Sequence, residues 1–373
     1  SLIFVIRLGF ALLWADLPAN LGVIESLRLL DFRCFKQVSL DLSSAGKIFV
    51  GENAQGKTSL LEAVCLLLRL QSPRARQTRQ LIREGANGFG ISGDAWGRNL
   101  QVRGDRKGLG LRIEGEKVLA RQDYLSESGL VVWMGNEDLD LVRGGGESRR
   151  RFLDFIATQV DPDYRRHWNR YRKALAARNK FLKSYSAREG VVNAYTQMLI
   201  EHGSEMIRIR QVLCGKLRPY AGENQRVISG RDEELGITYK DRSKGDLEAA
   251  FKEVQDSETR RGITLAGPHR DDVKLEIASR NAKDFGSEGQ QRTVALALKL
   301  AQGEILREIG GRPPIYLIDD VFGELDPRRR NALMNLLPAD TQKLVTTTNL
   351  DWWDGGGLEL EVTTVKDGLL LEE

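Results

Sequence analysis

Residues 51–58 read Gly51-Glu52-Asn53-Ala54-Gln55-Gly56-Lys57-Thr58, which fits the P-loop pattern G-x-x-x-x-G-K-[ST] at every fixed position. The flanks fit as well. Lys47-Ile48-Phe49-Val50 predicts a short buried strand running into the loop, and Ser59-Leu60-Leu61-Glu62-Ala63-Val64 opens an apolar helix after it. Strand, glycine loop and helix in that order aim backbone N–H groups and a helix N-terminus at phosphate. In such a loop Lys57 reaches the β- and γ-phosphates and the Thr58 hydroxyl binds Mg²⁺, so ATP and Mg²⁺ are the expected cofactors.

The chain has 373 residues, enough for a large core and for two domains or one elaborated domain. A hydrophobic fraction of 41% and a charged fraction of 29% belong to a soluble globular protein. The net charge of +4 says little about partners by itself. Cys34, Cys65 and Cys214 are scattered, and His167, His202 and His269 are far apart in sequence. That pattern supports neither a zinc site nor a disulfide framework and fits a reducing cytoplasm. Ser1 to Trp14 is mostly apolar but is interrupted by Arg7 and is too short for a membrane span. Residues 1–20 are expected to lie outside the fold, and no other stretch approaches transmembrane length, so no membrane is expected.

Upstream of the loop, Gly22-Val23-Ile24-Glu25-Ser26-Leu27-Arg28-Leu29 predicts a strand ending at Asp31-Phe32-Arg33. Val38-Ser39-Leu40-Asp41-Leu42 alternates apolar and polar residues, the period of a half-buried strand, and the pair forms a hairpin that delivers the chain to the P-loop strand. A polar, basic segment, Gln71 to Gln80, follows the P-loop helix. Next come Gly90-Ile91-Ser92-Gly93, Leu100-Gln101-Val102-Arg103 and Leu109-Gly110-Leu111-Arg112-Ile113, which predict an antiparallel meander. Leu130-Val131-Val132-Trp133-Met134 is a buried strand. From Ser148 to about Gly215 the pattern is helical without a sustained heptad, and Asp246 to Asp256 is a further short helix. Strand periodicity returns at Val273-Lys274-Leu275-Glu276-Ile277, and Lys343-Leu344-Val345-Thr346-Thr347-Thr348 is a last central strand.

Two later stretches complete the chemistry. Ile315-Tyr316-Leu317-Ile318-Asp319-Asp320 is an apolar strand ending in two carboxylates, the pattern of a buried parallel strand meeting its ligand edge. Asp319 there can hold Mg²⁺ through water, and Asp320 stands where a general base polarises the attacking water. Ser287-Glu288-Gly289-Gln290-Gln291 opens a helix that is apolar on most faces and therefore buried, which makes a second phosphate-binding helix end. One ATP does not need two such ends from one head. Two heads can share two ATPs if each P-loop faces the other subunit's serine-glycine helix.

In this order, P-loop, Ser-x-Gly-Gln-Gln, apolar-Asp-Asp and Glu324-Leu325-Asp326 resemble the ABC-type ATPase heads of the SMC-like repair proteins, and among them the RecF family. Asp31-Phe32-Arg33, Arg149-Arg150-Arg151-Phe152-Leu153-Asp154 and Gly267-Pro268-His269-Arg270-Asp271-Asp272 carry the same likeness, which covers residues 22 to 370. The resemblance implies an ATP-dependent homodimer that hydrolyses ATP slowly. It also implies binding to single- and double-stranded DNA at gaps, and work with RecO and RecR to load RecA. By the same resemblance Ser287, Gly289 and Gln290 meet the partner's ATP, Asp326 lies at the dimer seam, Arg33 lies near the nucleotide base and Asn136 falls near the Q-loop position. Asp320 stands where transporters usually carry Glu, and Thr346, Thr347 and Thr348 occupy the switch position where they carry His. The alternatives are the ATPase subunit of an ABC transporter, or another SMC-like ATPase with a different client.

The expected fold class is an α/β ABC-type P-loop ATPase head. Residues 21–140 and 265–373 form lobe I, and a mainly helical lobe II over 141–264 is inserted between them. From Lys57 to Ser287 is 230 residues, more than a transporter ATPase uses and far fewer than SMC arms require. Between Arg149 and Arg188 twelve Lys or Arg stand against three Asp or Glu, interleaved with Trp168, Tyr171, Phe181 and Tyr185. Arg165, Arg166, Arg170, Arg172, Lys173 and Arg178 recur at spacings that can line one helix face and meet DNA phosphates. No base-reading motif is present, so such binding follows backbone and shape. The bland reading of the same stretch is a solvated helix face. His269-Arg270 fits either a functional role or a packing loop.

Overall fold

The computed structural model describes residues 23–183, 189–353 and 360–371. The expected extension over residues 1–20, the first residue of the expected strand at Gly22, and Tyr185 lie outside the described residues. The chain divides into two compact units, one made of the residues up to Asp138 and from Lys299 onward, the other of Leu139–Leu298.

The first unit holds two six-stranded sheets. In the P-loop sheet, Gly46–Val50 lies between Lys343–Thr347 and Glu361–Lys366, and Ile315–Asp319 and Val131–Gly135 follow beyond Lys343–Thr347. These five strands are parallel, and Leu369–Leu371 adds an antiparallel edge. Strands covered on both faces are buried at every residue rather than at alternate ones, as Val131–Gly135 and Lys343–Thr347 are; the second carries its polar Lys343, Thr346 and Thr347 buried in hydrogen bonds. The registers Thr347↔Val50, Asp319↔Thr346 and Asp319↔Gly135 bring four strand C-termini to one edge. That edge is where open α/β sheets bind ligands.

The other sheet contains the N-terminal hairpin and the meander, in the order Phe35–Asp41, Ser26–Phe32, Gly88–Ala95, Arg98–Asp105, Leu109–Ile113 and Glu116–Val118. The hairpin forms as its sequence predicts and leads the chain into the P-loop strand Gly46–Val50 of the other sheet. The P-loop helix, Lys57–Arg69, packs against strands of both sheets, so every residue from Ser59 to Arg69 is buried. Each fully buried leucine of this helix contributes about 1.5–3 kcal/mol relative to exposure.

In the second unit the helices Gly146–Val160, Pro162–Leu182, Glu189–Ser229 and Leu247–Arg261 accompany a three-stranded antiparallel sheet, Arg280–Asn281, Asp272–Ile277 and Leu235–Lys240. Asp161 caps the second helix by accepting from the N–H groups of Asp163 (2.9 Å) and Tyr164 (3.0 Å), with Pro162 at its first position. That is the arrangement a missing proline N–H tolerates best. Two boundaries differ from the sequence reading. The long helix runs through Gly215 and Pro219 to Ser229, because tertiary packing outweighs the local cost of those residues. The unit extends to Leu298 rather than ending near residue 264, because Asp272–Ile277 pairs with Leu235–Lys240 inside it.

Candidate functional site

Gly56 ends the loop at φ 109° and stands at the N-cap of the Lys57–Arg69 helix. A Cβ at Gly56 would lie 2.7 Å from Cys34 Sγ and 2.8 Å from Phe35 Cζ, so the turn of the N-terminal hairpin closes over the loop and excludes any side chain there. The Lys57 ammonium is held inside the loop by the carbonyls of Gly51 (2.6 Å) and Glu52 (2.6 Å). Burial lowers its pKa, and the charges of Asp320 and Asp319 oppose that shift. Gln55 accepts from the Asp367 N–H at 2.5 Å, so the C-terminal hairpin turn also braces the loop.

Asp319 ends its strand beside the helix start. Its Oδ1 accepts from the Thr58 hydroxyl (2.7 Å) and the Thr346 hydroxyl (2.7 Å). Burial raises the Asp319 pKa, and these two hydroxyls oppose the rise. Asp320 follows in the left-handed region at φ 53°, with its N–H held by the Thr346 hydroxyl at 3.0 Å. A non-glycine residue in that region stores strain, and Asp tolerates it better than most. Lys57, Thr58, Asp319 and Asp320 thus share one neighbourhood, brought together across 261 residues of chain between Thr58 and Asp319. Such a set, one hydroxyl and one carboxylate beside a phosphate loop, fits Mg²⁺, which keeps water and phosphate as its other ligands.

Arg33 does not stand free. Its Nε and Nη2 grip both oxygens of the buried Glu62 at 2.7 Å each, and its Nη1 donates to the Gln80 carbonyl at 2.7 Å. It anchors the P-loop helix to the segment 71–80. Within that segment Arg74 is exposed and its charge reaches Asp319, a feature that the sequence reading grouped only as basic. Near Asn136, which is exposed, Trp133 donates to Glu137 at 2.7 Å, and Asp138 pairs with Lys299 at 3.0 Å.

The Ser287 segment forms a reciprocal cap. Gln290 Oε1 accepts from the Ser287 N–H (2.9 Å), and Ser287 Oγ accepts from the Gln290 N–H (3.3 Å). This capping box fixes the start of the helix Glu288–Gly310 and leaves Ser287 exposed. Gln290 Nε2 also donates to Glu233, while Gln291 is buried and accepts from Arg143 at 2.6 Å. Asp326 caps the helix Pro327–Leu336 by accepting from the Arg329 N–H at 3.0 Å.

A profile described as an AAA domain matches residues 26–157. The "DNA replication and repair protein RecF" of Cyanothece sp. is 36% identical over 93% of this chain and 97% of its own length. The protein of the same name from Lactobacillus delbrueckii subsp. bulgaricus is 35% identical over 86% of this chain and 89% of its own length. The chain belongs to the RecF family. Like other RecF proteins, it acts in DNA replication and repair and is an ABC-type ATPase, which sets aside the transporter alternative. It matches the structure of the recombination mediator protein RecF-ATPrS in the RecFOR pathway at a TM-score of 0.83 and 27% identity, covering 93% of this chain and 97% of that one. An Smc head bound to the C-winged helix domain of ScpA, 16% identical, matches at a TM-score of 0.53 over 93% of this chain and 95% of that one and shares the fold.

The second unit explains two stretches that carried the RecF likeness. Arg149 pairs with Asp272 through Nε (2.7 Å) and Nη2 (3.0 Å), and Arg150 donates to the Asp271 carbonyl at 2.6 Å. Arg210 is buried, bonds Asp154 at 2.7 Å and the Pro268 carbonyl at 2.8 Å, and Tyr164 also donates to Asp154. His269 Nδ1 lies 2.6 Å from the Tyr171 hydroxyl, and Arg270 donates to the Thr264 carbonyl at 2.9 Å. The Gly267-to-Asp272 stretch therefore packs inside the second unit.

Burial lowers the His269 pKa to about 4, helped by the charges of Arg270, Arg150 and Arg210 and opposed by the Thr264 carbonyl. The unfolded chain takes up this proton near pH 6.5 and the folded chain only near pH 4, so stability is complete above pH 6.5 and is lost as pH falls through that window. The loss is about 3 kcal/mol. Urea unfolding at pH 7 and at pH 4.5 should show that the wild type loses more stability than His269→Asn does. Equal losses would contradict this.

Two of the six candidate DNA-contacting cations must be corrected. Arg178 is buried, pairs with Glu258 at 2.6 Å and bonds Thr196 and Thr264 at 2.9 Å each, so it is a core group. Arg165 points inward, with a guanidinium that donates to the Thr158 carbonyl. Arg166, Arg170, Arg172 and Lys173 are exposed, and Arg172 lies over the Trp168 ring at 4.5 Å. Packing of the helices Pro162–Leu182 and Glu189–Ser229 also brings His167 Nδ1 to 3.1 Å from His202 Nδ1, although the two are distant in sequence. Among the described residues, no cluster of three or more His, Cys, Asp or Glu could hold a metal ion, and no helix is long and apolar enough to cross a membrane.

Proposed function

We propose that this RecF-family chain is a slow, Mg-dependent ATPase that dimerises on ATP and clamps DNA at single-strand/double-strand gaps, in the cytoplasm. The observation that carries the reading is the meeting of the Thr58 and Thr346 hydroxyls on one oxygen of Asp319, with Asp320 next in the chain and Lys57 in the loop beside it. Thr58 and Asp319 would hold Mg²⁺, which neutralises charge on the β- and γ-oxygens when bound. Lys57 exchanges the Gly51 and Glu52 carbonyls for phosphate oxygens. The Asp320 carboxylate takes a proton from the attacking water. Ser287 and Gly289 of one copy cover the γ-phosphate held by the other, with Gln290 setting the helix start and Asp326 at the seam. Relatives described as the recombination mediator protein RecF-ATPrS and RecF-ATP in the RecFOR pathway support ATP as the nucleotide. The family resemblance adds RecO and RecR as proposed partners in loading RecA. We divide the chain functionally into an ATPase lobe and a DNA-facing helical lobe.

The exposed cations Arg166, Arg170, Arg172 and Lys173 supply the DNA face. If all four neutralise phosphates, log K falls with log salt at a slope of about −3.6 per protomer. Anisotropy on a labelled gapped duplex tests this, with Mg-ATP, with Mg-ADP, and with Lys57→Ala and Ser287→Arg. Salt-sensitive binding that needs ATP and fails in both variants supports the clamp. Binding that persists in Arg166→Glu/Arg170→Glu/Lys173→Glu with an unchanged salt slope removes this face from the reading.

A further inference from the structure

We infer that Trp352 is a positioning residue for ATP hydrolysis, a clamp that holds the turn carrying Asp320 in its working geometry. Successive residues of a strand point to opposite faces. At the end of Lys343–Thr347 both faces are used. Thr346 bonds Asp319 (2.7 Å) and the Asp320 N–H (3.0 Å). The Thr347 hydroxyl donates to the Asn349 carbonyl (2.8 Å) and accepts from Trp352 Nε1 (3.0 Å). The Trp352 ring then stacks on Phe322, with centroids 4.7 Å apart and planes 23° apart, and Trp353 meets it edge-on at 5.7 Å.

Phe322 is fully buried, lies two residues after Asp320 and opens the turn Phe322–Glu324 that leads to Asp326. Arg330 also holds this turn, donating to the carbonyls of Phe322 (3.1 Å) and Leu325 (2.8 Å). Asp320 at φ 53° is strained, and strain of this kind persists only where neighbours over-determine it. Thr346 fixes its N–H, and the Trp352–Phe322 stack fixes where the chain goes next. Neither ring is among the groups that hold the phosphate loop. Loosening the stack therefore misplaces Asp320 without weakening triphosphate binding, which is a change in kcat and not in KM. The inference rests on Asp320 as the base.

Steady-state ATP hydrolysis with Mg-ATP tests it in the full chain. Trp352→Leu removes ring and N–H, Trp352→Phe keeps a stacking ring, and Thr347→Val removes the acceptor. We expect kcat about tenfold lower in Trp352→Leu and about threefold lower in the other two, with KM within about twofold throughout. Where Trp352→Leu melts early, Trp352→Phe and Thr347→Val decide. Unchanged kcat in those two variants, or a raised KM at unchanged kcat, overturns the inference. Wild-type hydrolysis that Asp320→Asn leaves intact overturns the reading of Asp320, and the inference falls with it.

Discussion

Asp320→Asn should lower kcat for ATP hydrolysis by about 10²–10⁴-fold, the range that a positioned general base supplies, while ATP still binds. The substitution is nearly isosteric, and Asn tolerates the left-handed backbone at φ 53° as Asp does. It leaves Lys57 on the loop and the Thr58–Asp319 contact in place. Binding and chemistry are thus separated. Single-turnover hydrolysis beside equilibrium binding of a fluorescent ATP analogue would measure both. A variant that hydrolyses within threefold of wild type would remove Asp320 from the chemistry. A variant that no longer binds nucleotide would make it a structural residue instead.

Arg210→Ala should destabilise the fold by about 3–5 kcal/mol, the cost of removing one partner from a buried ion pair. Arg210 has four polar partners: Asp154, the Tyr164 hydroxyl, the Pro268 carbonyl and, at 3.5 Å, the Tyr239 hydroxyl. Among the described residues, its loss leaves Asp154 with only Tyr164 and Trp168 as donors, and removes the donor that meets the Pro268 carbonyl. Replacing both charges, as Arg210→Met/Asp154→Leu, should recover much of the loss, because a packed apolar pair does not leave an uncompensated charge. Urea titrations of the single and double variants would decide. A single variant within 1 kcal/mol of wild type would mean that water enters and solvates Asp154.

Much of the candidate nucleotide site was legible because each part is a local string whose spacing is its geometry. Gly51 to Thr58 encodes a loop and a helix start within eight residues, and Ile315 to Asp320 encodes a buried strand and its acidic end. Ser287 and Gln290 stand three apart, the spacing of a capping box, so the helix start was visible there, although the box itself was not read from it. The basic helix was harder. Its charge excess was plain, but the face turned inward depends on its partner helix. Arg178 and Arg165 were therefore misassigned, while Arg166, Arg170, Arg172 and Lys173 do face solvent.

By itself, the sequence determined the fold class, the strand and helix that frame the P-loop, and the residue types gathered at the candidate nucleotide site. Periodicity and motif spacing act over a few residues and need no knowledge of neighbours. Only the tertiary structure decided that Arg33 anchors the P-loop helix through Glu62, that Gly267 to Asp272 is a packing loop around Arg210, and that Trp352 stacks on Phe322 behind Asp320. Each of those joins residues from separate elements. Such contacts follow from which faces are buried together, and burial is a property of the packed chain.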